Sequence, residues 1–463
     1  MKRSILALLL CAAWVPAAEA PAFDYTPEIA RALDRISAAS LRGNLSFLAS
    51  DQLEGRDTPS RGLDIAAEFI AAQFRRAGLE PAGDDGYFQT AQFAVRQAKP
   101  AAVQLDSAPV AAGEVAVLTP AALDLKDAPL VKSGEMEGKA ALMEGGFSFR
   151  RLRDLRALRP AVIVIAASSA AAARRLAQPE RLVDPSESPS APVIAVHDER
   201  LATAKTISVR MEAPVDRSVK LRNVIGVLRG SDPKLRDTYV LLTAHYDHIG
   251  RKPGCTEGDC IYNGANDDGS GTVSVIEAAN ALAGLKPRRS VVFMTFFGEE
   301  KGGFGSRWYT RHPVFPLSAT IGDVNLEQVG RTDSESGPQI GAATLTGFEF
   351  SDLPKAFEES GRRAGVKVES TPASDAYFGR SDNLMLAQAG IPAHTMCVAY
   401  SYPDYHGVGD EWEKIDFDNL ARVNRMIALG VLMLADNPEA PRWNADNPKA
   451  QSYLNAWKQR HAE

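Results

Sequence analysis

After its first twenty residues the chain has no run of the roughly 18 apolar side chains that a membrane-crossing helix needs, so no span is expected once a leader is removed. Positive charge is not in excess either. Fifty-two Lys and Arg stand against 58 Asp and Glu, a formal net charge of −6. Nucleic-acid binding rests on clustered basic residues, so the charge balance gives no case for that class of partner and none is expected. Cysteine is scarce, four in 463 residues, which rules out a disulfide-dense scaffold. The block from Val95 to Asp216 lacks any cluster of metal-type residues, and His197 is alone there.

The first twenty residues are set apart. Lys2 and Arg3 precede an apolar stretch from Ile5 to Trp14, and small residues follow in Val15-Pro16-Ala17 and Ala18-Glu19-Ala20. That order is the pattern of a signal peptide, so residues 1–20 read as a leader and the chain as exported, periplasmic or secreted. The competing reading is a buried N-terminal helix. Export permits disulfides. Cys255 and Cys260 flank Thr-Glu-Gly-Asp, a turn-rich loop that brings them together. A disulfide is expected; a metal clip is the alternative, but no further cysteine lies nearby to complete it. Cys397, in the apolar run Thr395 to Ala399, reads as a core thiol.

Periodicity divides the rest. Helical spacing runs through Gly62 to Leu79, Thr272 to Leu285 and Phe417 to Leu434. Strand-length apolar runs cover Val224 to Leu228, Tyr239 to Ala244, Val291 to Phe297 and Ala319 to Leu326. Alternating strands and helices predict an α/β fold, a mostly parallel mixed sheet covered by helices on both faces. Residues 95–216 differ in texture. They hold short β runs and an alanine-rich stretch, Ala167 to Ala173, that reads as a helix. They are expected to form a β-rich insertion beside the site, holding no metal ligand. A discontinuous catalytic domain of 21–94 plus 217–440 is thereby predicted. Residues 441–463 read as a tail without an assigned role.

Chemistry concentrates in five short segments. His245-Tyr246-Asp247-His248 follows one predicted strand, Glu299-Glu300 follows another, and Glu327 ends a third. Asn266-Asp267-Asp268-Gly269 opens a helix, and His406 lies further on. A lone His-x-Asp or Glu-Glu pair is ordinarily a surface feature, and Asn-Asp-Asp-Gly is ordinarily a turn. Ligands in open α/β sheets sit beyond the carboxyl ends of the strands. The segments together therefore predict a hydrolytic two-metal site. Two ions roughly 3.5–4 Å apart need a bridging group, and Asp267, a short carboxylate on a glycine-flanked turn, suits that task. His312, His394, His461 and His197 receive structural or surface readings.

In order and spacing, His245-x-Asp247, Asn266-Asp267, Glu299-Glu300 and His406 resemble the co-catalytic zinc aminopeptidases. Leu53-Glu54-Gly55-Arg56, Gly379-Arg380-Ser381-Asp382 and Ala389-Gly390-Ile391-Pro392 resemble further parts of that family. The resemblance implies the zinc exopeptidase fold and two Zn2+ per chain. One ion would take His245, Asp267 and Glu327, the other Asp267, Glu300 and His406. Glu299 would be the general base, removing the N-terminal residue of peptides with a free N-terminus by a metal-activated water. Asp247 would hold the imidazole of His245, Asp410 would orient His406, and His248 would act like Asp247 or be solvent-exposed or structural. The Asp267–Asp268 peptide bond would be cis. Gly138-Lys139-Ala140-Ala141-Leu142 and Pro192-Val193-Ile194 are similar to parts of a protease-associated domain. Two positions depart from the family: Glu327 stands where Asp is frequent, and Asn383 where His is frequent. A carboxypeptidase or glutaminyl cyclase uses the same scaffold, with Arg380 available for a substrate carboxylate. A non-catalytic peptide-binding homologue would have lost the base or a ligand, and this chain has lost neither.

Overall fold

The computed structural model describes residues 23–462; the predicted leader, 1–20, lies outside them. Among the described residues no helix is long and apolar enough to cross a membrane. The chain forms two compact units: one runs to Tyr87 and resumes at Val224, the other is Phe88–Asn223.

The first unit is built on a mixed sheet. Its strands are β1 (Val215–Leu228, which carries the chain out of the other unit), β2 (Tyr239–His245), β3 (Ser290–Phe296), β4 (Thr320–Leu326), β5 (Ala342–Leu345), β6 (Lys367–Glu369) and β7 (Ala393–Cys397). Their spatial order is β6-β5-β7-β4-β2-β3-β1. The central strands β7, β4, β2 and β3 are mutually parallel; β1 and β5 join antiparallel. Parallel strands are covered on both faces, so β2 and β3 are buried at every residue and show no alternation. Register aligns their carboxyl ends, with His245 beside Phe296 and Leu326 beside Met396.

The helices follow from local signals. They are α1 (Ala38–Leu48), α2 (Arg61–Ala77), α3 (Gly271–Leu282), α4 (Phe304–Arg311), α5 (Pro354–Ala364), α6 (Asn383–Gln388), α7 (Phe417–Asp436) and α8 (Gln451–Arg460). Ser60 caps α2 by accepting the amide of Leu63, and Gly78, left-handed at φ 80°, ends it. On one sheet face Ile225, Leu241, Met294 and Phe296 join Tyr309 of α4, Leu386 of α6 and Trp443 in a single core. Over the other face, α3 packs against β2 and β3 and is itself covered by α1, α2 and α7. Hence 11 of its 12 residues are buried.

Within residues 441–462, Trp443 and Tyr453 dock on the core of the first unit. Trp443 is 5% exposed within the core, its indole N–H donates to Gly390 O at 2.9 Å, and it stacks on Tyr453 of α8. The mixed, proline-broken sequence there gave no periodic signal that would reveal docking. Trp443→Ala is expected to cost about 3–5 kcal/mol, the usual range for a buried aromatic truncated to alanine. Chemical denaturation measures it; a loss under about 1 kcal/mol would mean the segment is dispensable.

The second unit is β-rich. A parallel core of Leu123–Val131, Ala140–Met143, Val162–Ala166 and Val193–Val196 is flanked by antiparallel strands. Ile194 and Val196 pack on one face; Val193 and Ala195 pack on the other. The alanine-rich stretch forms the helix Ala170–Leu176. His197 accepts a structural place, its Nδ1 3.0 Å from Ala167 O. The unit is wider than the sequence reading of 95–216. It begins with the first residue of the strand Phe88–Gln97 and ends inside the strand Val215–Leu228, so neither limit is marked by a loop-like change of composition.

Candidate metal centre

The parallel strands deliver the predicted residues to one edge. His245 ends β2, Glu299 and Glu300 follow β3, and Glu327 follows β4. Asp267 sits on the turn that opens α3, where the Asp267–Asp268 bond is cis. His406 comes from a later loop, at φ 53°. All six lie in the first unit.

Asp267 stands between two imidazoles. Its Oδ1 is 3.3 Å from His245 Nε2, and its Oδ2 is 3.1 Å from His406 Nε2. Around the first imidazole Glu327 Oε1 adds a contact at 3.5 Å; around the second Glu300 Oε2 adds one at 3.4 Å. Ligands about 2.0–2.1 Å from a tetrahedral zinc stand about 3.3 Å from one another. The observed separations fit two such positions sharing Asp267. His245 Nε2 and Glu300 Oε1 are also buried without a hydrogen-bond partner. Buried polar atoms are rarely left unsatisfied, and a cation meets the need of both. The donor set of imidazole and carboxylate suits zinc.

Electrostatics agree. Burial alone would lower the pKa of His245, but Asp247, Asp267 and Glu327 outweigh it and hold it well above its usual range. Burial would raise Asp267, yet His245 and His406 hold it low. Burial pushes Glu299 well up, with Glu327, Asp382 and Glu300 adding to the effect. So many buried carboxylates call for positive charge.

The supporting contacts both match and correct the expectations. His245 Nδ1 lies 3.1 Å from Asp247 O and 3.4 Å from Asp247 Oδ1. The Asp247 carboxylate further accepts from Thr58 Oγ1 and, at 3.1 Å, from the amide of Glu299. It therefore steadies both His245 and the residue expected to be the base. Asp410 has a different task from orienting His406. It accepts the amides of Asn266 and Asp267 and the Tyr402 hydroxyl, and so fixes the backbone that presents the Asp267 carboxylate. The four-residue spacing pointed to His406; the bare amides of the turn, at sequence separations of 144 and 143, take the carboxylate instead. His248 is fully buried, with Nδ1 2.8 Å from Glu300 Oε1. At the departure positions, Glu327 accepts a hydrogen bond from Ser381 Oγ at 2.7 Å, and Asn383 Nδ2 donates to Phe378 O.

Several contributors had no sequence signal. Asp268 accepts the amides of His245, Gly271 and Gln328, joining the ends of β2 and β4 to the start of α3. Arg56, noted only as part of a family-like motif, is buried and donates to four backbone carbonyls around the site. The remaining histidines stay outside. His312 and His461 stack on Trp308 and Trp457, and His394 is buried between Ser351 Oγ and Thr346 O, its pKa lowered by burial to about 4. Cys255 and Cys260 are disulfide-bonded, and Cys397 is a buried free thiol.

Comparison with known proteins gives the same picture. Residues 223–431 match the sequence model of peptidase family M28. An aminopeptidase of Bacillus subtilis, YwaD, is 26% identical over 270 residues, 56% of this chain and 55% of that protein. A probable zinc metalloprotease of Pyrenophora tritici-repentis is 26% identical over 48% of this chain and 53% of its own length. The chain spans about half the length of these curated relatives. Among solved structures, an aminopeptidase from Aneurinibacillus sp. strain AM-1 superposes with a TM-score of 0.59 at 20% identity, covering 89% of this chain and 97% of that one. The two share a fold.

Proposed function

We propose that this chain, whose residues 223–431 belong to peptidase family M28, is an exported two-zinc aminopeptidase acting on peptides with a free N-terminus. The observation that carries the reading is the Asp267 carboxylate, one oxygen toward His245 and the other toward His406. A single carboxylate divided between two imidazoles, each with a further carboxylate beside it, is suited to bridging two cations. When bound, the ions supply Lewis acidity toward the scissile carbonyl and the attacking water.

The protein's own groups do the rest. Glu299 takes a proton from the water as it attacks and passes it to the departing amine. Burial raises its pKa, the direction that makes a carboxylate a stronger proton acceptor. The Asp247 carboxylate, bonded to the Glu299 amide, holds that residue in place while also fixing the His245 ring. Ser381 orients Glu327 through Oε1, and Asp410 and Asp268 lock the turn that carries Asp267. Orienting partners of this kind are usual around metal ligands. The name of the Bacillus relative supports exopeptidase action at an amino terminus. The leader residues Lys2, Arg3 and Ile5 to Trp14 support export.

One pair of substrates tests the reading. A free peptide is expected to lose its N-terminal residue, the N-acetylated peptide is expected to remain intact, and a chelator should stop the first reaction. Cleavage of the acetylated peptide from its carboxyl end would instead favour a carboxypeptidase, with Arg380, exposed and stacked over Tyr377, as the group meeting the substrate carboxylate.

A further inference from the structure

His248 has no place in the ligand set above, yet it is one of the most deeply buried polar residues beside it. Its residue exposure is 0%, and both ring nitrogens lack a hydrogen-bond partner. Its Nδ1 faces Glu300 Oε1 at 2.8 Å, and that oxygen is likewise buried without a hydrogen bond. Apart from each other the two atoms have no partner in a dry site, and a cation shared by the two residues would meet the need of both. His248, Asp267 and Glu300 also form a compact group, with one donor atom from each within 4.8 Å of the others. Room for the ring is reserved: a Cβ on Gly264, a residue at φ 56°, would come within 2.5 Å of the His248 ring.

His406 approaches the same two carboxylates from the opposite situation. Its side chain is 39% exposed, and its ring meets that of His248 edge-on at 5.6 Å. Asp267 and Glu300 thus have one imidazole on a solvent-facing loop and a second in the interior. We infer that His248 is an additional ligand of the second metal position, an interior nitrogen donor that holds the ion with Asp267 and Glu300 even when His406 is absent. The inference rests on the two-metal reading of the site. It predicts a second position richer in nitrogen than the first, and one whose occupancy does not depend on the exposed loop.

Cobalt(II) tests it in the intact protein. With ring-labelled histidine, the di-cobalt wild type is expected to show three imidazoles with the large contact shifts of directly bound rings, from His245, His248 and His406. Two shifted rings, with two ions bound, would overturn the inference and leave the two-metal reading standing; failure to bind two ions at all would overturn both. Variants give an independent readout. His406→Ala should still bind two ions, the second about 10- to 100-fold more weakly, in line with metal-site losses. His406→Ala combined with His248→Ala should bind one. If His406→Ala alone binds one ion, His248 is not a ligand.

Discussion

Glu299→Gln is expected to cut turnover by about 100- to 10,000-fold, the usual contribution of a general base, while both metal positions remain fillable. The substitution preserves size and leaves the backbone bond from residue 299 to Asp247 in place. What it removes is the ability to accept a proton. Glu299 adjoins Glu300, whose Oε2 lies 3.4 Å from His406 Nε2 and belongs to the ligand group. The neighbouring side chain can change without altering that group. Metal analysis alongside single-turnover kinetics separates the roles. If bound metal falls in step with activity, Glu299 is a ligand and its assignment as base is wrong.

Asp267→Ala is expected to have the larger effect on metal content, beyond that of His245→Ala or His406→Ala. Each of those imidazoles belongs to one position, whereas Asp267 reaches both. Its removal deletes a ligand from each and takes away the negative charge between two divalent ions. At about 4 Å, like charges repel strongly unless an anion lies between them. Stoichiometry should fall to one ion or none in equilibrium dialysis, with activity lost in parallel. Retention of two tightly bound ions would show that Asp267 is not the bridge. The neighbouring Asp268→Ala is a useful contrast, since that carboxylate holds three backbone amides and its loss is expressed in stability.

The candidate site residues were visible in the sequence for a physical reason. A metal position restricts residue type to imidazole and carboxylate, and a parallel sheet restricts place to strand ends, so His245, Glu300 and Glu327 stand out where a core residue would not. The strands themselves were legible because burial on both faces makes them continuous apolar runs. Asp410 shows where such reading fails. Its spacing from His406 suggested a pairing with that ring, but its partners are backbone amides about 140 residues earlier. Amides occur at every position and leave no mark in a sequence. The backbone-holding roles of Asp268 and Arg56 left no mark for the same reason. The docking of Trp443 rests on tertiary packing with Gly390 and Tyr453, which neither periodicity nor composition encodes.

Arg56 sets a lower limit on the fragment that can hold the site. Its guanidinium, fully buried, donates to the carbonyls of Leu48, Tyr246, Asn263 and Gly264. Burial lowers its pKa to about 10, while Asp247, Asp410, Asp268 and Asp267 pull the other way and keep it a cation. One side chain from the first sixty residues thus staples the loop after β2 to the turn before α3 and supplies positive charge among the acids. The segment that matches the peptidase family begins only at residue 223. Excised at that boundary, it would keep every proposed ligand and lose the clamp that sets the distance between two of the loops carrying them. The unit of inheritance recognised by sequence is therefore smaller than the unit of folding that makes the metal centre.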